Sequence, residues 1–335
     1  MTACALLDVQ IDWLFPEKNE SIISCKITPE QLKNYLSTAP EKPVAVYVTS
    51  PDYLGSITDI KELGKVCREY DVLLLVDNAH GAYLNFLPES LHPIALGADM
   101  CCDSAHKTLP VLTGGGYLHI SSVAPSMLSE KAEDAMSLFA STSPSYLILQ
   151  SLDMANKYIG TGYKERLAEF IKEADKLKIA LTEKGFKLIG DEPLKITIQT
   201  KAYGYMGNKI ASILKSLGII CEFYDPDYIC FMLTPENSQE DLISLRDALC
   251  DLPKKAPKKE KAPLINRPER ACSIREAMLS DSIEIHIDEC EGKILANATL
   301  SCPPAIPIVI CGEKIDKTAI DCMKYYGIVH CKVIK

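Results

Sequence analysis

Between residues 43 and 120 the apolar positions fall in short continuous runs, Val44 to Val48, Val72 to Val76, Met100 to Cys102 and Tyr117 to Ile120. Runs of this length suit strands buried on both faces. Between the first two, Ile60, Leu63, Val66 and Cys67 recur at helical spacing behind Thr58 or Asp59 as the cap, so the segment predicts a βαβ unit. Open parallel sheets place ligands at the carboxyl ends of their strands, which directs attention to the loops after these runs. Farther along, Leu167, Phe170, Ile171, Ala174, Leu177 and Leu181 form one stripe of a long helix that Gly185 stops.

Leu194, Ile196 and Ile198 then alternate with polar neighbours and predict a half-buried strand. A helix around Ile210 to Leu217, strands over Ile219 to Phe223 and Tyr228 to Leu233, and a helix opened by Ser238 complete a small α+β module. Residues 253–263 hold five lysines and three prolines with no apolar period and read as an exposed linker. Beyond it, Ser273 and Glu276 make a capping box, and Ile283, Ile285 and Ile287 alternate as a strand. The proline cluster from Cys302 to Pro307 forces extended backbone. The stretch from Met1 to Phe15, interrupted by Asp8, Gln10 and Asp12, reads as a strand entering a domain rather than an export signal.

Composition narrows the function classes. With 335 residues, 47% of them hydrophobic and 24% charged, the chain is neither disordered nor membrane-spanning in character. Its 36 basic and 45 acidic side chains leave a net charge of −9, which disfavours nucleic acid and anionic lipid as partners. Fourteen cysteines are scattered without a C-x-x-C pair, so they read as reduced thiols of a cytoplasmic protein, with no metal centre implied.

The most informative string is Val72-Leu-Leu-Leu-Val-Asp-Asn-Ala-His-Gly81, a buried strand delivering Asp77 at its carboxyl end. A carboxylate there is a helix cap, a metal ligand or the partner of a cation, because an unpaired one is costly. The phosphate loop that a nucleotide-hydrolase reading of Asp77 requires occurs nowhere in the chain. Thirty residues on, Ser104-Ala-His-Lys-Thr-Leu-Pro110 places Lys107 just past another strand. Alone, Lys107 reads as a solvated lysine. Together, Asp77, Lys107, Ser104 and His106 supply the amine, acid and phosphate donors that pyridoxal phosphate chemistry needs.

At these residues the chain resembles the fold type I pyridoxal phosphate enzymes, and within them the Orn/Lys/Arg decarboxylase family. The resemblance runs through Thr49-Ser-Pro-Asp-Tyr-Leu-Gly55, Val76 to Gly81, Gly97-Ala-Asp-Met100, Ser104 to Pro110, Ser141-Thr-Ser-Pro-Ser-Tyr146 and Cys302 to Pro307 with Gly312-Glu313. It implies an α/β fold of that type, with a large-domain portion over 1–155, a small α+β domain over 156–252, a linker over 253–264 and a C-terminal decarboxylase domain over 265–335. It implies pyridoxal 5′-phosphate bound to Lys107, Asp77 on the pyridine nitrogen, Ala79 on the ring face and His80 beside the ring. Ser104 and His106 would contact the phosphate, and Thr142 and Ser143 would reach the phosphate of a neighbouring subunit, making a homodimer or higher oligomer. Read without the resemblance, those two residues are a turn that starts the next helix.

The implied reaction is decarboxylation of arginine, lysine or ornithine, with Glu313 as an acid for the substrate's distal cation; read alone, Glu313 is a surface turn acid. The sequence departs from the family at Asn78, where Glu is usual, at Cys302 and Ala305, and at Cys311, where Pro is usual. The match starts partway into the large domain, and an upstream-encoded partner chain is the expected source of the phosphate loop that precedes it. Two other readings stay open: a non-catalytic partner subunit, and an aminotransferase or lyase built on the same core.

Overall fold

The computed structural model describes residues 1–16, 26–140, 143–298 and 307–335. Thr142 and the string from Cys302 to Ile306 lie outside the described residues. The chain divides into two compact units, one of Lys26–Thr197 and Met232–Leu252, the other of Met1–Cys25, Ile198–Phe231 and Pro253–Lys335.

The first unit is organised by a four-stranded sheet, β1 (Ala45–Thr49), β2 (Leu73–Asp77), β3 (Met100–Asp103) and β4 (Tyr117–Ile120), in that spatial order. β1, β2 and β3 are parallel, and β4 runs antiparallel to β3. The helix Ile60–Glu69 joins β1 to β2, with the Asp59 carboxylate accepting from Glu62 N at 3.1 Å. It buries Ile60, Leu63, Val66 and Cys67, the stripe expected from spacing. β2 supplies the fully buried Leu74 and Val76. β1 departs from the expected two-faced burial: it is the sheet edge, Tyr47 is 63% exposed and Val44 just before it 82%. An apolar run shows that a segment is a strand, whereas its place in the sheet decides what covers it.

The long helix spans Tyr163–Lys184 and stops at Gly185, whose φ of 101° is a left-handed conformation that glycine adopts without a Cβ penalty. The strand Lys195–Gln199 corrects the half-buried expectation, since Lys195 and Thr197 are as buried as Ile196 and Ile198. The helices Ser126–Phe139 and Tyr146–Ile159 are the opposite case, burying among them only Ala155.

In the second unit, the helix Gly207–Ser216 is followed by a short hairpin, Phe223–Tyr224 paired antiparallel with Tyr228–Met232. The strand expected from Ile219 is shortened because Ile219 N still bonds Leu214 O at 2.9 Å to finish the helix, leaving Ile220 81% exposed. Residues 254–261 are exposed as expected, yet Lys255 N and Lys258 N donate to the carbonyls of Tyr203 and Lys201. Ser273 and Glu276 form the capping box of the helix Ile274–Leu279. Ser282–His286 pairs antiparallel with His330–Ile334 over a core that includes Leu295, Ile315, Ile320 and Met323. The N-terminal strand reading is wrong: Thr2–Leu7 is a helix, with Ala5 packed beside Ile274, Ala277 and Ile310 and the Arg275 guanidinium on its last carbonyls at 2.9 Å.

Candidate active site

β2 and β3 end side by side, with Asp77 opposite Cys102 in parallel register. Past β2 the chain turns sharply: Asn78 N donates to Cys102 O at 2.9 Å and Gly81 N to Asn78 O at 2.8 Å. Only glycine fits at 81, because a Cβ there would lie 2.0 Å from Asn78 Oδ1. The fully buried Asn78 also donates through Nδ2 to Asp103 Oδ1 at 2.7 Å, lacing the two strand ends together. The Asp77 carboxylate accepts from Ala79 N at 3.1 Å on one oxygen and from Tyr47 OH at 3.2 Å on the other. Ala79 itself is half-buried beside it.

Past β3, Ser104 leads into the single helical turn Ala105–Thr108 without its hydroxyl capping that turn. Lys107 projects from the turn and brings Nζ to 3.0 Å from His80 Nε2. An amine from β3 and an imidazole from the β2 turn therefore meet at one edge of the sheet, the edge at which Asp77 also ends. His106 Nδ1 lies 2.8 Å from Gly115 O, so that ring nitrogen carries a proton and donates, which fixes the ring and turns Nε2 elsewhere. Ser143 is exposed ahead of the helix Tyr146–Ile159. Glu313 belongs to the other unit and is not a surface acid: it is 8% exposed, and Ile310 N donates to its Oε2 at 2.8 Å. Burial raises the Glu313 carboxyl above the ordinary range, against the pull of Arg267 and Arg270.

His80 is 4% exposed and contacted on both ring nitrogens, since Lys195 Nζ lies 2.6 Å from Nδ1. Burial, then the charges of Lys195 and Lys107, push the imidazole down to about 2, so it is neutral. Lys195 is ion-paired to the buried Glu192 at 3.1 Å, and Tyr83 OH donates to the other Glu192 oxygen at 3.3 Å. The Tyr53 ring lies 5.0 Å from His80. Sequence reasoning missed Lys195, Glu192 and Tyr53. The alternation through Leu194, Ile196 and Ile198 makes Lys195 look like the solvent face of a strand, and its only sequence signal is a glutamate three residues before it.

A second missed cluster lies within the same unit. Asp103 Oδ2 accepts from His92 Nε2 at 3.2 Å and His119 Nε2 at 3.0 Å, while Oδ1 takes Asn78. Burial alone would raise this carboxyl, but the bonds from His119, His92 and Asn78 overcome it and bring it to about 2. The three ligand-type atoms lie within 4.8 Å of one another, a spacing that a metal could use. Ile94 N points at His92 Nδ1, however, which puts the His92 proton on Nε2 and makes the contact with Asp103 a hydrogen bond. Among the described residues no helix is long and apolar enough to cross a membrane.

Comparison with solved structures assigns the fold first. A Pseudomonas aeruginosa lysine decarboxylase superposes with a TM-score of 0.73 at 17% identity, covering 91% of this chain and 60% of that one. An SPT structure solved with PLP superposes with a TM-score of 0.54 at 16% identity over 67% of this chain and 58% of that one. The architecture is thus that of the fold type I pyridoxal phosphate enzymes. In sequence, residues 1–191 match the Orn/Lys/Arg decarboxylase major domain and residues 258–331 match the Orn/Lys/Arg decarboxylase C-terminal domain. The arginine decarboxylase of Bacillus subtilis is 30% identical over 341 residues, covering 96% of this chain and 69% of that protein. The chain belongs to the Orn/Lys/Arg decarboxylase family. It spans about three-fifths of the lysine decarboxylase chain and about two-thirds of the arginine decarboxylase.

Proposed function

We propose that this chain carries the core of a pyridoxal-phosphate-dependent decarboxylase acting on a basic amino acid, arginine, lysine or ornithine. The observation that carries the reading is the meeting of the Lys107 amine with His80 at the strand edge where Asp77 ends. The donor set fits the cofactor: an amine for the aldehyde, a carboxylate held by two donors for the pyridine nitrogen, and hydroxyl and imidazole groups on the turn bearing the amine. Bound pyridoxal phosphate supplies an electron-poor ring that accepts the electron pair left at the substrate's α-carbon when carbon dioxide departs.

The chain's residues divide the remaining work. Lys107 holds the cofactor and is placed to move a proton at the α-carbon. Asp77 keeps the pyridine nitrogen protonated, and Tyr47 and Ala79 N fix its orientation. Ala79 and His80 flank the ring, and Ser104 and His106 serve the phosphate. Glu313 is the acid proposed for the distal cation, supported by its burial and its anchoring by Ile310 N. Thr142 and Ser143 are proposed to reach a neighbouring subunit's phosphate. A homodimer is supported by the apolar faces of Ser126–Phe139 and Tyr146–Ile159, where Leu138, Phe139, Tyr146 and Leu147 are all more than half exposed. A separately encoded chain is the second occupant such faces suit. The domain limits at 155, 252 and 264 are proposed on the same footing, and free thiols suit a reducing, cytoplasmic setting.

Purified protein titrated with pyridoxal phosphate should gain a visible absorbance band that Lys107→Ala abolishes. Carbon dioxide release from a basic amino acid should fall by about 10³-fold or more in the same variant. Binding with no carbon dioxide release but amino transfer would point to an aminotransferase. A flat spectrum would make the chain a non-catalytic partner subunit.

A further inference from the structure

The donor and acceptor inventory around Lys195 fixes where the protons of the site lie. Lys195 Nζ faces the Glu192 carboxylate at 3.1 Å, the Tyr53 carbonyl at 3.2 Å, the Asp52 carbonyl at 3.5 Å and His80 Nδ1 at 2.6 Å. The first three partners can only accept. Lys195 must therefore donate to them as a full ammonium, and it has no lone pair with which to receive a proton from His80. Nδ1 is consequently the acceptor, the single proton of the neutral ring sits on Nε2, and that Nε2–H points at Lys107 Nζ 3.0 Å away.

We propose that Lys195 and Glu192 are positioning residues that lock the Nε2–H tautomer of His80, and that this N–H holds the Lys107 amine neutral, with its lone pair engaged and ready to add to an aldehyde. The inference rests on Lys107 being the cofactor-bearing lysine, but it concerns the chain's own protons and is measurable without the cofactor. The groups facing His80 are Lys107 from the turn after β3, Lys195 with Glu192 behind it, the ring of Tyr53, and Asp77 on its own segment. Asp52 is buried behind Lys195 and accepts from Leu54 N and Ser56 N. A neutral His80 agrees with its burial between two amines. The chemistry is complete within these residues: the amine nitrogen forms a bond to the aldehyde carbon and water leaves.

Nitrogen-15 NMR of the chain without pyridoxal phosphate, labelled in histidine and assigned with His80→Gln, should show His80 protonated at Nε2 and bare at Nδ1. Protonation at Nδ1, or at both nitrogens, overturns the proposal. Reductive methylation with formaldehyde and cyanoborohydride, read residue by residue by mass spectrometry, should modify Lys107 near neutral pH about tenfold faster than in the paired variant Glu192→Gln/Lys195→Met, which removes both charges together. An unchanged Lys107 rate and pH profile in that variant overturns it. Should the variant fail to fold, the wild-type profile decides: a Lys107 rate that falls with acidification in step with the exposed lysines Lys164 and Lys209 overturns the proposal, and one that persists to lower pH supports it. Because none of these readouts uses pyridoxal phosphate, loss of the decarboxylase reading would leave the tautomer result standing on its own.

Discussion

The first unit contains two histidine clusters built on neighbouring strand ends with opposite electrostatics. His80 lies between two lysines, and burial with those charges holds it neutral, with its pKa near 2. His92 and His119 share one oxygen of Asp103, and there it is the acid that is displaced, down to about 2. Asn78 belongs to both, following Asp77 in sequence and donating to Asp103 in space. The contrast teaches that a buried histidine's role is set by what faces its two nitrogens. Between amines it distributes protons, and beside an acid it satisfies a charge and braces the turn.

The largest effect should separate the clusters by charge. Glu192→Ala leaves the Lys195 ammonium buried without its carboxylate and should cost about 3–5 kcal/mol in urea unfolding followed by circular dichroism. Asp103→Asn retains an oxygen that can still accept and should cost less, about 1–3 kcal/mol. Equal losses would mean that the Lys195–Glu192 pair is not desolvated as its burial implies.

The second effect is a pH window, and the two clusters occupy different ones. The unfolded chain binds a proton at His80 below about pH 6.5, while the folded chain binds none there until about pH 2. Folding stability therefore falls on acidification from about pH 6.5, by up to about 1.4 kcal/mol per pH unit from this group. Asp103 contributes above its unfolded value, near 3.9, and that contribution is lost as pH falls through about 2. His80→Gln should flatten the stability slope between about pH 6.5 and 5 while leaving the slope below about pH 4 in place. An unaltered upper slope would assign that window to other histidines.

What was legible in the sequence follows from which signals are local. The run ending in Asp77 and the string carrying Lys107 are local, since an apolar strand that ends in an acid or leads into a lysine states its own placement. The capping boxes at Ser238 and Ser273 are local for the same reason. Lys195 is not, because alternation reports one strand's polar positions and says nothing of what another segment lays over them. His92, Asp103 and His119 come from a loop and two strands and share no spacing. The N-terminal helix was misread because a few apolar residues broken by acids satisfy a strand pattern as well as a single amphipathic turn or two. β1 was identified correctly as a strand and wrongly as an interior one, since its edge position depends on the other three strands.

The smallest effect concerns that exposed edge. Tyr47 is 63% exposed on β1, yet its hydroxyl donates to Asp77 Oδ2 at 3.2 Å. Water reaches a residue this open and can replace the lost donor, so Tyr47→Phe should cost no more than about 0.5 kcal/mol of stability. The Asp77 carboxylate would keep Ala79 N on its other oxygen and lose only its second orienting contact. Pyridoxal phosphate affinity, measured by absorbance titration, should weaken by about two- to threefold, a loss of about 0.5 kcal/mol in an exposed hydrogen bond. A loss beyond about tenfold would mean that Tyr47 is covered when the site works, which would move β1 from the solvent edge of this chain to an interface with a second one. The same measurement thus sets the weakest contact at Asp77 against the buried cluster around His80, where no solvent is available to take a missing partner's place.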